Sequence, residues 1–135
     1  MAWEQPMGKV GALVTDADLS AKQYYCVKLS ATNNTVSLCG TDGEAVFGVL
    51  QNEPGSGDAA EVTVVGITKV ICSEALTAGD FWGTDSSGKA KKVEKTVTGA
   101  DVGDYFGGQV IESTSAANQL ATVSIGFTTG IVEAQ

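Results

Sequence analysis

Two apolar segments joined by a polar turn decide the fold of this chain: AVFGVLQ at residues 45–51 and EVTVVGITKVIC at residues 61–72. The segment between them, NEPGSGD, is rich in the Asn, Pro and Gly that adopt turn dihedral angles. Both alternating faces of the second segment are largely apolar, which is typical of a strand inside a core. Gly66 interrupts this strand and predicts a β-bulge or a close approach of another backbone. The two segments therefore predict a central strand pair around which the other strands are arranged.

The rest of the chain predicts short strands separated by turns. These strands are expected at residues 10–14, 24–30, 35–39, 81–84, 89–97, 105–113 and 120–127. Single helical turns are predicted at residues 15–20 and 73–80, but no long helical period occurs. The pattern predicts an all-β fold, with a compact β-sandwich or barrel as a single domain at residues 10–135. An extended N-terminal arm at residues 1–9 precedes this domain.

The charge balance excludes several classes of function. The 135 residues include 16 acidic residues, eight lysines, no arginine and no histidine, which gives a net charge of −8. Without histidine, one chain cannot form a Ser-His-Asp triad, a Cys-His pair or a His-ligated zinc site. A protein this acidic repels nucleic acid, so we expect no nucleic-acid partner. The lysines at positions 89, 91, 92 and 95 surround Glu94, and we interpret them as a solvated strand or loop face.

The three cysteines, Cys26, Cys39 and Cys72, show no CxxC spacing. A four-residue loop at residues 31–34 would place Cys26 opposite Cys39, whereas a two-residue turn would pair Cys26 with Thr41 and make a bridge unfavourable. The chain shows no secretory signal pattern at its start and no apolar run of membrane-spanning length. We therefore expect synthesis in the cytosol, no membrane partner, and free, buried thiols. No base lies near a cysteine in sequence, so none is predicted to be a nucleophile.

Two motifs suggest ligand binding and fail on inspection. Residues 83–89 match the phosphate-loop pattern G-x-x-x-x-G-K, but Ala90 follows where a magnesium-binding hydroxyl is needed. Residues 16–20 mimic half of a calcium loop, but Ala21 and Val27 occupy the positions of its Gly and its bidentate Glu. We therefore predict no catalytic, cofactor-binding or metal-binding residue, and the chain is not expected to be an enzyme.

The order of several short motifs resembles that of a known family. The motifs are DLS at 18–20, QYYCVKL at 23–29, FGVLQN at 47–52, GITKV at 66–70, LTAGD at 76–80 and SGKA at 87–90. In this order and spacing the chain is similar to the small capsid-decoration (head-cement) proteins of tailed bacteriophages, over about residues 8–127. The resemblance implies a compact β-fold on the outside of an expanded capsid, commonly as a trimer at three-fold and quasi-three-fold positions. It implies no enzymatic activity and no cofactor.

The N-terminal arm is the candidate partner-binding site. Its predicted contact residues are Met1, Ala2, Trp3, Glu4, Gln5, Pro6 and Met7. The arm would add a strand to the major capsid protein or insert Trp3 into a pocket on it. The alternative for Trp3 is that it folds back onto its own core.

The sequence thus predicts a virion structural protein that binds the outer capsid surface and stabilises the shell. The first alternative is another phage structural component, either a head fibre or a tail protein. The second is a carbohydrate-binding β-module that stacks sugars on Trp82, Tyr105 or Phe106, although such aromatic residues more often lie in a core. The third is an enzyme that uses a cysteine.

Overall fold

The computed structural model describes residues 2–94, 103–126 and 130–131. Eleven β-strands are present among these residues. They are β1 Gln5–Thr15, β2 Cys26–Leu29, β3 Thr35–Leu38, β4 Gly48–Leu50, β5 Ala59–Ile71, β6 Phe81–Thr84, β7 Ala90–Val93, β8 Tyr105–Phe106, β9 Gly108–Glu112, β10 Leu120–Ile125 and β11 Gly130–Ile131. These ranges contain no helix, and the predicted all-β fold class is confirmed.

The two predicted helical turns are turns closed by aspartate side chains instead. Asp18 Oδ1 accepts a hydrogen bond from Ser20 N at 3.0 Å, and Asp80 Oδ2 accepts one from Thr77 N at 2.9 Å. Side-chain oxygens that bind nearby backbone amides in this way compete with helical hydrogen bonds. Among the described residues, no helix is long and apolar enough to cross a membrane.

Nine strands form one continuous sheet in the order β1-β3-β2-β4-β5-β10-β9-β6-β7. β1 pairs in parallel with β3 along one edge and antiparallel with β5 along the other. Strands β1, β3, β2, β4 and β5 therefore close into a five-stranded ring, from which β10, β9, β6 and β7 extend as an attached sheet. β8 and β11 form a separate two-stranded sheet.

β5 is the longest strand and belongs to both the ring and the attached sheet. One edge of β5 pairs first with β4 and then with β10, while β1 runs along its other edge. At Gly66, where φ is +118°, a Cβ atom would lie 2.6 Å from Met7 N and 2.7 Å from Gln5 O. The predicted close backbone approach at Gly66 is therefore confirmed, and β1 is the segment that approaches.

Apolar side chains pack into two cores. The ring core receives residues from all five ring strands, among them Val10, Val27, Val36, Leu50 and Val62. The sheet core contains Val70, Trp82, Val110 and Val123, together with all three cysteines. The first half of the long strand β5 contributes Ala60, Val62 and Val64 to the ring core, and its second half contributes Val70 to the sheet core.

The first hairpin has the four-residue loop that places the two cysteines opposite each other. Leu29 pairs with Val36 and Val27 with Leu38, so residues 31–34 lie outside the ladder. Cys39 N donates to Cys26 O at 3.0 Å. All three cysteines are free and buried, as predicted. The phosphate-loop match at residues 83–89 is confirmed as a strand–turn–strand, because it connects β6 to β7.

β1 begins at Gln5, earlier than the strand predicted at residues 10–14. The predicted boundary between arm and domain at Lys9 therefore lies inside this strand. Gln5 pairs with Ile67, and Lys9 pairs with Thr63. Most side chains of β1 remain exposed, so its pairing depends on backbone groups, which leave no alternating pattern in the sequence.

Candidate partner-binding surface

The predicted partner-binding segment lies at the start of β1 and against the attached sheet. The backbone amide of Trp3 donates to Thr122 Oγ1 at 2.8 Å. In β10, Ala121 and Val123 face the sheet core, so Thr122 between them points to the opposite, outer face. Thr122 is nevertheless fully buried, which means that another part of the chain covers it. Residues 2–4 therefore lie against the outer face of the sheet, which is the face that carries Thr122. Met1 lies outside the described residues.

Several large apolar side chains remain exposed on β1, on the segment before it, and on β10 and β9. The exposed fraction is 42% for Trp3, 80% for Met7 and 40% for Leu120. Leu120 shares the outer face with Thr122, two positions along β10, and Ile111 on the neighbouring strand β9 is 39% exposed. Exposed apolar side chains rimmed by polar residues are typical of interaction sites. The backbone of Trp3 thus folds back onto its own sheet, while part of the residue remains exposed.

Leu120 and Ile111 were not among the residues predicted from the sequence. The alternation of apolar and polar residues in β10 could have identified Leu120. Ala121, Val123 and Ile125 form the buried face, which places Leu120 on the other face with Thr122 and Ser124. A leucine at an otherwise polar position of a strand is a candidate contact residue, whereas Ile111 lies at a register shift that the sequence does not reveal.

The lysine cluster includes one buried member, which corrects the prediction of a solvated face. Lys91 Nζ lies 2.7 Å from Asp42 Oδ2 and 2.5 Å from Asp104 Oδ2, and its side chain is 11% exposed. Burial alone would lower the pKa of Lys91, but the hydrogen bonds to Asp104 and Asp42 outweigh burial and raise it. Lys91 therefore stays charged and links three separate parts of the chain. Lys92 is 42% exposed, as expected of a solvated face.

All three cysteine thiols are buried. Burial raises the pKa of the Cys39 thiol to about 12 and raises the pKa of the Cys26 thiol well above its ordinary value. Cys72 Sγ lies 3.1 Å from Gln119 O, within the sheet core. A nucleophilic cysteine needs a stabilised thiolate and access to substrate. Cys26 and Cys39 have neither property, and Cys72 lacks the access.

We expect the native protein to react with a thiol-specific disulfide reagent only as fast as it unfolds. The reason is that all three thiols are buried. The measurement is the reaction rate at pH 8, with denatured protein as the control that yields three thiols per chain. Native protein in which one thiol reacts at the rate of free cysteine would contradict this assignment.

Neither a metal-binding cluster nor an exposed stacking platform at Trp82 is present among residues 2–94 and 103–126. No group of three His, Cys, Asp or Glu side chains there converges as metal ligands. Trp82 is fully buried, and its Nε1 donates to Ser124 O at 2.9 Å. The carbohydrate-binding alternative therefore loses Trp82 as its stacking platform. Phe106 packs edge-on against Phe81, with ring centroids 5.0 Å apart.

By its fold, the protein is a small all-β module that consists of a five-stranded ring and an attached sheet. No family model matches the chain, and no curated protein is detectably similar to it in sequence. A solved structure does match its fold: the N base of the head fibre gp8.5 of bacteriophage phi29. The TM-score is 0.64 at 16% sequence identity, and the match covers 91% of this chain and 97% of the phi29 chain. At this identity the likeness shows a shared fold.

Proposed function

We propose that this chain is a structural protein of a tailed-phage virion and binds the outer surface of the capsid. The observation that carries the proposal is the fold shared with a phage head-fibre base over nearly the full length of both chains. The motif order that resembles decoration proteins leads independently to the same surface. A net charge of −8 keeps the free protein soluble and away from packaged DNA. The mechanism is binding rather than catalysis.

Two versions of this function differ in what the module does once bound. A decoration protein would clamp neighbouring coat subunits as a trimer and raise the free energy of opening the shell. A head-fibre base would attach a projecting structure without necessarily stabilising the shell. The likeness to the gp8.5 base favours the head-fibre version, which the sequence offered as an alternative. Heat-induced opening of heads tests the decoration version, which requires a raised opening temperature; an unchanged opening temperature would leave only the fibre-base version.

The attachment surface we propose is centred on Trp3, Met7 and Leu120. Trp3 and Met7 belong to the segment predicted to bind the major capsid protein, and their exposed side chains supply the apolar anchors that dominate many interfaces. If three copies bind together, each weak contact is reinforced through effective concentration.

Replacing Trp3 by alanine should weaken binding to heads at least about tenfold, because a central aromatic anchor commonly contributes that much or more. The measurement is co-sedimentation with expanded heads that lack the protein.

Deleting residues 1–9 is unsuitable, since the deletion would remove half of β1. Leu29→Ser is the matched control: Leu29 is 56% exposed and lies beyond β3, at the opposite end of β1. Equal binding of Trp3→Ala and wild type would remove Trp3 from the attachment surface.

A further inference from the structure

Two of the three buried cysteines form a cross-strand pair. The ladder of β2 with β3 pairs Val27 with Leu38, and one step further along it Cys39 N donates to Cys26 O at 3.0 Å. Residues directly opposite each other in a ladder direct their side chains to the same face of the sheet. Both cysteine side chains accordingly lie in the sheet core, whereas Val27 lies in the ring core.

The backbone separation expected of this pair suits a disulfide. Opposed residues joined by backbone hydrogen bonds in an antiparallel ladder have Cα atoms about 5.5 Å apart. Protein disulfides usually join Cα atoms roughly 4.4–6.8 Å apart, most often about 5.5–6 Å. A bond between Cys26 and Cys39 is therefore compatible with the path of both strands.

A shared hydrogen-bond partner brings the two sulfur atoms together as well. Both thiols lie within hydrogen-bonding reach of the side chain of Thr84, which is fully buried. The Thr84 hydroxyl donates its own proton to Asp85 O at 3.0 Å, so its oxygen is available as an acceptor for the thiols. Cys72 is held differently, because its Sγ contacts the segment at residues 114–119.

The pair lies at the end of its ladder, where the chain can adjust. Cys26 N donates to Gly88 O at 2.8 Å, so its amide is not used in the ladder with Cys39. Some adjustment is needed, because opposed Cβ atoms lie about 4.5–5.5 Å apart in a ladder and roughly 3.5–4.5 Å apart across a disulfide. A bridge at this position is therefore strained and more readily reduced than a typical structural disulfide.

We propose that Cys26 and Cys39 are a redox-active pair that forms a cross-strand disulfide under oxidising conditions and so closes the first hairpin. The oxidant is a small disulfide of the glutathione class. One cysteine thiolate attacks it, forms a mixed disulfide and releases one glutathione thiolate. The other cysteine thiolate attacks the mixed disulfide, forms the new S–S bond and releases the second glutathione thiolate. Two cysteine thiols are thus oxidised, and the glutathione disulfide is reduced to two thiols that take up the two protons.

Burial determines when this reaction occurs. Burial raises the pKa of both thiols, so they stay protonated and unreactive while the fold is closed. The turn at residues 85–88 covers the pair: Gly88 O binds Cys26 N, and a Cβ added at Gly88 would lie 3.2 Å from Cys39 O. Oxidation therefore proceeds through transient opening of the chain, and the finished bridge is enclosed when the fold closes again. The inference does not rest on the proposed function, because it concerns the free chain without any capsid.

The test is a disulfide map of the full chain after incubation with oxidised glutathione for several unfolding half-lives. Cleavage after lysine places each cysteine in its own peptide, at residues 23–28, 29–69 and 70–89. We expect the oxidised protein to lose two hydrogen atoms, to keep one of its three thiols, and to yield peptide 23–28 joined to peptide 29–69. Cys72→Ala is the matched control that keeps the pair and should yield the same joined peptides. Cys39→Ala should form no bridge.

Oxidation in urea separates a bridge favoured by the fold from one favoured only by a short loop. The bridge closes a loop of about 14 residues in the unfolded chain. We expect the equilibrium constant for bridge formation to be at least about tenfold larger in native than in urea-denatured protein, and the bridged protein to melt at a higher temperature. Wild type that keeps all three thiols would overturn the proposal, as would a bridge that includes Cys72. A bridge no more favourable in native protein than in urea, or bridged protein that melts below the reduced form, would overturn it too.

Discussion

Replacing Lys91 by methionine is expected to lower the free energy of unfolding by about 3–5 kcal/mol. Lys91 is nearly enclosed between Asp42 and Asp104, at 2.7 and 2.5 Å. Asp104 is only 13% exposed, so losing the lysine leaves its carboxylate poorly solvated and without this cation. A buried charge that loses its partner retains its full desolvation cost, which is why the penalty exceeds the value of an ordinary surface ion pair.

The neighbouring lysine provides the control. Lys92 lies 3.8 Å from Asp80 and 3.3 Å from Glu94, and its side chain is 42% exposed. Lys92→Met removes the same charge with the same substitution, but solvent screens its ion pairs, so we expect a much smaller loss of stability than for Lys91→Met. Urea unfolding of the two variants measures the difference. Equal losses would show that Lys91 is no more important for stability than its neighbour.

Replacing Trp82 by alanine is expected to cost about 3–5 kcal/mol of unfolding free energy. Trp82 is fully buried in the sheet core. A Cβ added at Gly107 would lie 2.8 Å from its Cζ2 atom, so the chain packs tightly against the ring. The substitution opens a large cavity and also removes the hydrogen bond from Nε1 to Ser124 O. Both losses act on the sheet that carries Leu120 and the docking site of Trp3.

The second tryptophan is the control for the first. Trp3 is 42% exposed, and its only hydrogen bond to the described residues uses its backbone, which alanine retains. Trp3→Ala should therefore reduce stability by about 1 kcal/mol or less while weakening attachment to heads. Thermal unfolding followed by circular dichroism compares the variants. A large loss of stability in Trp3→Ala would mean that Trp3 is part of the core and would remove the argument that its side chain faces a partner.

Sequence patterns predicted the parts of the fold that are determined by local or alternating signals. β5 was predicted at residues 61–72 and is observed at Ala59–Ile71, because its apolar run and its flanking turn act over short distances. The close approach at Gly66 was predictable since glycine in a strand has few other uses. The turn length of the first hairpin was left open, and the ladder of β2 with β3 resolves it in favour of the four-residue loop.

Contacts between distant segments were not predictable. In the sequence, Lys91 cannot be distinguished from the surface lysines around it. Its partners Asp42 and Asp104 are distant from it in sequence and approach it only in the folded protein. The first half of β1 pairs with β5 through backbone groups, so no side-chain period marks it. For the candidate site, the sequence placed Trp3 and Met7 among the candidate contact residues, but it left open whether Trp3 folds back and gave no information about the sheet face on which Trp3 lies.

The measurement that tests the proposed function most directly is a cryo-electron microscopy reconstruction of expanded heads incubated with saturating protein. Untreated heads are the control. We expect added density of the size of this β-module on the outer surface, at symmetry-related positions, with the start of β1 and Leu120 turned toward the coat. Heads without added density, or density confined to the tail, would contradict attachment to the capsid surface.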